Sequence, residues 1–503
     1  MSLYQEFKEL IQRAADVEKS IAVLHWDQET YIPAEGGAVR ARQIAMLSGI
    51  AHEMKTSPKL GDMMYKLNAD TSLPFEQKRN VEEALRSYEH NLNYPASFVM
   101  EMSAASSRCF GSWSRARKQN DFSIFLPDLT NMLRLKREET AIWGYTDHPY
   151  DAMLDQYEPG AKTADITALF ANVRDQLVGF VKEISQRGSI ADEWMYGLYN
   201  RDTQWNFGLD VLDKMGFDMQ RGRQDYSAHP FTISFSPEDV RLTTRVKEDN
   251  FHEMLWSSIH EGGHGLYEQG LNRDEYGMPN GEATSLAIHE SQSRIWENNV
   301  GRALPFWKYF YPRLQALFPE NLKEVSLDSF YKSMNVVRPS LIRTNADELT
   351  YHFHILVRFE LEKALIEGSL EVADLPAAWN KKYEEYLDLK VPDDSSGCLQ
   401  DVHWSHGSFG YFPTYSLGSF YAAQFYRQAL NDIPGLETNF AHGDFRPFLD
   451  WLRKNIHVHG KMYTAEELCV RITGEKLNFR HFMDYATEKY SRIYTFAPAG
   501  LIA

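Results

Sequence analysis

Helical periodicity, which runs through nearly the whole chain, is the feature that most constrains its fold. Phe7, Leu10, Ile11 and Ala14 begin a series of apolar residues spaced three and four apart, which predicts an amphipathic helix over residues 4–25. Similar patterns predict helices at 75–92, 96–118, 128–143, 163–187, 203–215, 308–317, 347–368, 376–387 and 464–472. We therefore expect a mainly α-helical protein.

One central stretch departs from this pattern. Residues 231–235 and 240–246 alternate apolar and polar side chains around the turn sequence SPED, which predicts a small β-hairpin. A single hairpin is only marginally stable, so we expect it to pack against helices. No Pro/Gly/Ser-rich linker or fixed-period repeat divides the chain, and we therefore expect one domain over residues 1–503.

The charge of the chain limits its partners. It carries 70 acidic and 53 basic residues, a formal charge of −17, and an acidic surface repels nucleic acid and anionic membranes. The N-terminal residues are too charged for a signal peptide, and no run of about 18 apolar residues occurs. Three cysteines are too few for a disulfide framework. The sequence predicts a soluble, cytoplasmic protein that binds neither nucleic acid nor membranes.

The most informative motif is HEGGH at residues 260–264. It lies within a segment, 249–270, that we expect to form a helix. Asn250 with Glu253 three residues later predicts a capping box at its start, and Gly270 predicts its end. The motif would therefore lie in the interior of a helix.

The spacing of this motif suits a metal centre. Side chains four residues apart share a helix face, so His260 and His264 can bind one zinc ion. Glu261, about 100° around the helix, reaches a water on that zinc and can accept its proton as the water attacks a carbonyl. Gly262 and Gly263 each cost about 1 kcal/mol in a helix interior, which indicates close approach by a substrate or by a neighbouring helix. The alternative is an accidental motif on a structural helix.

A third ligand is predicted from the next helical segment, 281–294. Glu290 lies on a line of this segment that also carries Ser293, Arg294 and Glu297. A carboxylate from a second helix would complete a His2Glu site and leave one position to water, as in catalytic zinc sites. Taken alone, Glu290 is better explained as a solvated charge.

These motifs together resemble the carboxypeptidase Taq family of thermostable metallocarboxypeptidases. HEGGH is followed about 25 residues later by HESQS, and further blocks match in order over nearly the whole chain. Those blocks are WDQETYIP at 26–33, HPF at 229–231, DVRLT at 239–243, IRTNADE at 342–348 and GCLQDVHW at 397–404.

The resemblance implies the metal ligands, the fold and the activity. His260, His264 and Glu290 match the family's metal ligands, and Glu261 matches its general base. The implied fold is a large, nearly all-helical body with a deep active-site groove, similar to neurolysin and angiotensin-converting enzyme, and usually a homodimer. Two lobes flanking that groove remain an open arrangement. Members remove single residues from peptide C termini with broad specificity. We expect one divalent metal per chain, zinc in the first place and cobalt as the alternative.

Such an exopeptidase needs a cation for the terminal carboxylate of its substrate, and arginine suits this role. Arg343 is the first candidate, with Arg241 and Arg245 on the hairpin as rivals; a structural ion pair is the alternative for each. His229 precedes the hairpin strand, whose edge is expected to pair with an extended peptide. Capping of the strand end is the alternative role for His229.

Polarising the scissile carbonyl needs a further donor. Residues 403–418 are glycine-rich and carry His and Tyr, and they resemble the His-then-Tyr segment that related helical peptidases use for the tetrahedral intermediate. We nominate His406 and Tyr415, with Tyr411 next; aromatic packing is the alternative for one of the tyrosines. Asp401 and Gln400 are expected to orient a ligand histidine or to bond loop backbone.

The sequence thus predicts a metallocarboxypeptidase that acts on peptides with a free C terminus. An oligopeptidase or dipeptidyl carboxypeptidase with the same metal core is one alternative. A non-catalytic, helical peptide-binding scaffold is another. The presence of Glu261 counts against the scaffold, because a structural metal site has no use for a carboxylate between two ligands.

Overall fold

The computed structural model describes residues 2–496, so Met1 and residues 497–503 of the predicted domain lie outside the described residues. Its secondary structure confirms the mainly α-helical class. In chain order the α-helices are α1 Leu3–Thr30, α2 Gly37–Lys55, α3 Pro58–Ala69, α4 Phe75–Asn93, α5 Ala96–Gln119, α6 Leu126–Trp143, α7 Pro149–Asp155, α8 Thr163–Ser185, α9 Arg201–Met215, α10 Phe251–Gly270, α11 Leu286–Arg294, α12 Leu304–Leu317, α13 Pro319–Leu322, α14 Leu327–Ser333, α15 Tyr351–Glu367, α16 Leu375–Leu387, α17 Pro413–Asp432, α18 Leu436–Ala441, α19 Arg446–Asn455, α20 Ala465–Thr473 and α21 Arg480–Ile493.

A π-helix, Ile295–Gly301, directly continues α11. Within the described part of the chain, no helix has both the length and the apolar character that crossing a membrane requires. All three cysteines are buried and free.

A small sheet confirms the predicted hairpin and extends it by one strand. Strands β1 Gly222–Tyr226, β2 Thr232–Ser236 and β3 Asp239–Thr244 lie in the order β1-β3-β2. β2 and β3 are antiparallel, with an irregular register between Ser234 and Ser236, and β1 runs parallel to β3. β2 is therefore an edge strand of this sheet.

Helix α10 lies against the sheet and against α9 and α11. It begins as predicted: the side chain of Asn250 accepts a hydrogen bond from the backbone N–H of Glu253 at 3.3 Å. The carboxylate of Glu253 pairs instead with Arg245 and, at 2.8 Å, with Lys247. α10 is buried on most sides, because Phe251 and many later residues have almost no exposed surface.

The chain divides into two compact units. Unit 1 comprises Met1–Leu92, Ala191–Met334 and Tyr421–Leu477. Unit 2 comprises Asn93–Ile190, Asn335–Phe420 and Asn478–Ala503. Each unit is assembled from three separate stretches of sequence, which is why no linker composition marks a boundary between them.

The residues nominated from the sequence fall into both units. Unit 1 contains the sheet and helices α10 and α11, and with them the HEGGH motif. Unit 2 contains α5–α8, α15, α16 and α21, around buried aromatic residues that include Tyr150, Phe359, Trp379 and Tyr383. Helix α17 begins in unit 2 and ends in unit 1.

Candidate active site

Three side chains of unit 1 converge on one point. The ligand atoms of His260, His264 and Glu290 all lie within 4.8 Å of one another. Glu290 Oε2 is 3.7 Å from His260 Nε2 and 3.5 Å from His264 Nε2. Two ligands of a tetrahedral zinc ion, each about 2.0–2.1 Å from it, lie about 3.4 Å apart. The cluster therefore fits a single divalent metal ion, and it is the one such group found among residues 2–496.

Glu290 reaches this point because α11 crosses α10 at a glycine. A Cβ on Gly263 would lie 2.5 Å from the carbonyl oxygen of Gln292 and 2.7 Å from Cα of Ser293. A Cβ on Gly262 would lie 2.5 Å from a leucine methyl of α9. Of the two explanations raised for this glycine pair, the approach of neighbouring helices is the one that these contacts support.

Burial and neighbouring charges set the protonation of the ligands. Burial lowers the pKa of His264 to about 3, which keeps its imidazole neutral. Burial opposes the ionised form of Glu290, but Arg294 and His260 hold its pKa well below the usual range. Burial likewise disfavours protonated His260, yet Glu290 raises its pKa overall, and binding of a metal displaces such a proton. The cluster thus offers one carboxylate and two imidazoles.

Glu261 lies beside the ligands and contacts the edge strand of the sheet. Its side chain is buried, and Thr232 Oγ1 lies 2.7 Å from Glu261 Oε2 and 3.0 Å from the backbone oxygen of Glu261. Burial raises the pKa of Glu261, while His260 and the Thr232 hydrogen bond oppose that rise. A carboxylate with a raised pKa, held by one hydroxyl, suits a general base.

Arg343 lies in a buried cluster of unit 2. Its Nε and Nη2 donate to Asp401 Oδ1 at 3.1 and 2.9 Å, and its Nη1 donates to the Tyr351 hydroxyl at 3.1 Å. Arg358 binds the other oxygen of Asp401, from Nε at 2.7 Å, and donates to Gln400 Oε1 at 2.8 Å. Burial opposes ionisation of Asp401, but the two guanidinium groups hold its pKa far below the usual range. Asp401 therefore serves the two arginines in this structure.

The nominated tyrosines lie beside this cluster. The guanidinium of Arg343 is 5.1 Å from the ring centre of Tyr415. The ring of His403 lies 5.4 Å from that of Tyr411 and 6.5 Å from that of Tyr415. Burial, together with the nearby arginines, lowers the pKa of His403 to about 4, so this imidazole is neutral at pH 7. Tyr411, Tyr415, His403 and Arg343 are thus grouped within unit 2.

His406 is placed differently. It is exposed, and its ring stacks on Phe110 of α5 with the centroids 5.3 Å apart. Partial burial of the ring lowers the pKa of His406 below its ordinary value. Of the two histidines in this segment, His403 is the one packed against the nominated tyrosines.

The two arginines of the hairpin each have a partner of their own. Arg241 stacks over Trp26 at 4.3 Å and pairs with Asp239 at 2.8 Å. Arg245 pairs with Glu253 and donates to the backbone oxygen of Ala228. Both interactions correspond to the structural ion pairs raised as the alternative from the sequence.

His229 lies before β2, as expected, and is exposed. Its backbone oxygen accepts a hydrogen bond from Ser227 Oγ at 2.6 Å. The Ser227 hydroxyl also lies 2.8 Å from Thr243 Oγ1 of β3. These bonds fix the turn that leads into the edge strand.

Three residues that contact the nominated groups were not assigned from the sequence. Thr232 directly follows the HPF block, and His403 lies inside the GCLQDVHW block. Their positions next to or within blocks that resemble the family were the signal that could have identified both residues. No sequence pattern indicated a role for Arg358, because its partner Asp401 is 43 residues away in the chain. A long-range pairing of this kind cannot be read from spacing.

The helical fold, together with a His2Glu cluster beside a buried glutamate, defines a metallopeptidase. The chain belongs to the carboxypeptidase Taq (M32) metallopeptidase family, whose model matches residues 6–490. It is 41% identical to thermostable carboxypeptidase 1 of Thermus thermophilus over 98% of this chain and 99% of that one. It is 37% identical to carboxypeptidase 1 of Bacillus subtilis, covering 97% and 98%.

A solved structure of the same family agrees with this membership. The crystal structure of the M32 carboxypeptidase from Deinococcus radiodurans superposes with a TM-score of 0.97 at 37% identity, over 99% of this chain and 100% of that chain. The protein is therefore a metallocarboxypeptidase, a peptide hydrolase that depends on a divalent metal. The prediction made from the motifs is confirmed at this level.

Proposed function

We propose that this chain is a zinc carboxypeptidase that removes single residues from the C termini of peptides with broad specificity. His260, His264 and Glu290 hold the metal, with cobalt as the alternative ion, and Glu261 is the general base. The convergence of three ligand atoms within 4.8 Å is the observation that carries the proposal. Imidazole nitrogens and a carboxylate oxygen are donors that suit zinc.

The residues of unit 1 account for the proton transfers. A bound zinc ion supplies Lewis acidity, which lowers the pKa of water and polarises the scissile carbonyl. Glu261 accepts a proton from the attacking water at its carboxylate and returns it to the leaving amine. The Thr232 hydroxyl, 2.7 Å from Glu261 Oε2, orients the carboxylate for both transfers.

The residues of unit 2 account for substrate binding in this proposal. Arg343 binds the terminal carboxylate of the substrate. This role is supported by its cluster, in which two arginines share one aspartate, because guanidinium groups bind carboxylates well. Arg241 and Arg245 are less favoured, because each has a carboxylate partner of its own, whereas Arg343 shares the carboxylate of Asp401 with Arg358. Tyr415 and Tyr411 donate hydrogen bonds to the developing oxyanion.

The contacts of the two tyrosines support His403 in place of His406 as the histidine of this group. His229 is proposed to lie where an extended peptide pairs with the edge of β2. We further propose that both units form one catalytic domain, with a neurolysin-like groove, and that the protein is a homodimer. The family resemblance supports these statements. Three free cysteines support a reducing, cytoplasmic location.

The test follows the products of an N-blocked peptide by mass after the protein is loaded with Zn²⁺ or Co²⁺. The expected result is a ladder of products that each lose one residue from the C terminus. Losses of two residues at a time would favour a dipeptidyl carboxypeptidase. Internal cuts would favour an oligopeptidase, and the absence of any product would favour a peptide-binding scaffold.

A further inference from the structure

Four side chains of unit 1 form a chain of contacts that links two of the proposed ligands. Arg294 Nε donates to Glu290 Oε1 at 2.7 Å, and Arg294 Nη1 lies 3.2 Å from Glu297 Oε2. Glu297 Oε2 lies in turn 2.8 Å from His260 Nδ1. His260 and Glu290 stand at the two ends, so Arg294 and Glu297 connect one proposed ligand to the other.

The spacing of these residues along one helix explains why they meet. Arg294 is the last residue of α11, four residues after Glu290, and Glu297 follows three residues later in the π-helix Ile295–Gly301. Residues three and four apart are neighbours on a helix surface. π-turns inside helices occur frequently at functional sites. A single continuous helical stretch therefore provides a ligand, a guanidinium and a second carboxylate.

The two carboxylate oxygens of Glu290 have different partners. Oε1 is bound by Arg294, whereas Oε2 accepts a hydrogen bond from Ser293 Oγ at 3.3 Å and faces His264 Nε2 at 3.5 Å and His260 Nε2 at 3.7 Å. A carboxylate with one oxygen held by a guanidinium presents the other oxygen, rather than both, to a metal. With Glu290 held in this way, the protein would offer a metal three ligand atoms, the number that leaves coordination open for water and substrate.

Glu297 contacts the far side of a ligand. Its oxygen lies at Nδ1 of His260, while Nε2 of the same ring faces Glu290. An acceptor at Nδ1 keeps the imidazole proton there and leaves the Nε2 lone pair for the metal. Glu297 is itself held by Arg294 and by Arg302 Nη2 at 3.3 Å, so its carboxylate is fixed from two directions.

We propose that Arg294 and Glu297 are positioning residues of the metal centre. Arg294 restricts Glu290 to one ligand oxygen, and Glu297 fixes the tautomer and ring orientation of His260. The inference rests on the ligand set proposed above and adds to it what holds that set in place. Outer partners of metal ligands typically change metal affinity or activity about 10- to 100-fold.

The test measures the affinity of the full chain for Zn²⁺ and for Co²⁺ by competition with a chromogenic chelator. Arg294→Met and Glu297→Gln are each expected to weaken binding about 10- to 100-fold and to change the visible absorption spectrum of the Co²⁺-loaded protein. Arg294→Lys keeps a cation at this position and is expected to recover part of the affinity. Neither measurement depends on peptide turnover.

A control variant separates this effect from a general loss of stability. Arg221 is another partly buried arginine of unit 1, bonded to Asp218 at 2.8 Å and to the backbone oxygens of Pro237 and Gln269. Arg221→Met is expected to lower the melting temperature and to leave metal affinity unchanged.

Two outcomes would count against the proposal, and they are distinguishable. If folded Arg294→Met and Glu297→Gln bind both ions as wild type does, with an unchanged Co²⁺ spectrum, while Glu290→Ala loses binding, the positioning role is overturned and the ligand set stands. If Glu290→Ala also binds as wild type, the ligand set of the proposed function is overturned as well.

Discussion

The two units carry clusters of opposite electrostatic character. In unit 1, the ligand atoms of His260, His264 and Glu290 converge within 4.8 Å of one another, and Arg294 contacts the other carboxylate oxygen of Glu290. In unit 2, Arg343 and Arg358 share the carboxylate of Asp401, so two guanidinium groups contact one carboxylate. The first arrangement suits a bound cation, and the second suits a bound anion.

This difference supports the proposal that the two clusters have different tasks. Lone pairs held together by packing are costly unless a metal compensates them, so the cluster of unit 1 is suited to chemistry at a bound ion. In the cluster of unit 2, two guanidinium groups share one carboxylate. This cluster is therefore suited to binding an anionic group. A metallocarboxypeptidase needs both, since its substrate ends in a carboxylate next to the bond that is cut.

The largest expected effect comes from the proposed general base in unit 1. Glu261→Gln is expected to lower kcat by about 10²–10⁴, because an amide cannot accept the proton of water, while the ligands and the bound metal are retained. Metal content and steady-state kinetics on the same preparation measure this. The matched control is Glu253→Gln on the same helix, which removes only the pairing with Arg245 and Lys247. Wild-type kcat in Glu261→Gln would remove this residue from the mechanism.

The charge balance of unit 2 predicts the next effect. Asp401→Asn leaves two buried guanidinium groups without their carboxylate, which typically costs about 3–5 kcal/mol of the free energy of unfolding. Urea titration at neutral pH measures the loss. Asp239→Asn provides the control, because its partner Arg241 is partly exposed and such pairs contribute about 1 kcal/mol or less. Equal losses in the two variants would contradict the internal bonding of this cluster.

A buried carboxyl makes the stability of unit 2 depend on pH. Burial raises the pKa of Glu362 from 4.5 to about 7, although hydrogen bonds from Tyr150, Gly410 and Trp404 oppose the rise. A carboxyl group whose pKa is raised by folding stabilises the native state. This contribution is fully present below the pKa of the group in the unfolded chain, and it is lost as the pH rises through about 7. Relative to Glu362→Gln, wild type should therefore lose about 3 kcal/mol between about pH 4.5 and pH 8. If the free energies of unfolding of the two proteins changed with pH in the same way, the raised pKa of Glu362 would be contradicted.

The sequence was most informative where function depends on local spacing. The helical period alone places His260 and His264 on one face of α10, and the Asn250 cap and the β2–β3 hairpin follow from neighbouring residues. Glu290 required the family resemblance, because the distance between two helices depends on the contact that Gly263 permits.

Features that depend on distant parts of the chain were not predicted. β1, with the sequence GRQDY, lacks apolar alternation, and its pairing with β3 crosses many residues. The bonding of Arg343 to Asp401 spans 58 residues, so Arg343 was nominated as a single cation and its cluster was not foreseen. Helix α2 is mostly exposed and helix α17 is mostly buried, so neither shows the clear apolar stripe on which the periodicity argument depends.

The smallest of these effects is also the most direct test of the division of tasks. Arg343→Met is expected to lower kcat/KM about 10- to 100-fold, since a charged hydrogen-bonded contact contributes about 1.5–3 kcal/mol, mainly through KM. Comparing each peptide as its free acid and as its C-terminal amide isolates the contact: wild type should prefer the acid, and Arg343→Met should lose most of that preference. Arg241→Met, whose guanidinium stacks on Trp26, should keep it. If Arg343→Met retained the preference and Arg241→Met lost it, the anion would be bound in unit 1, and the assignment of chemistry to one cluster and binding to the other would fail.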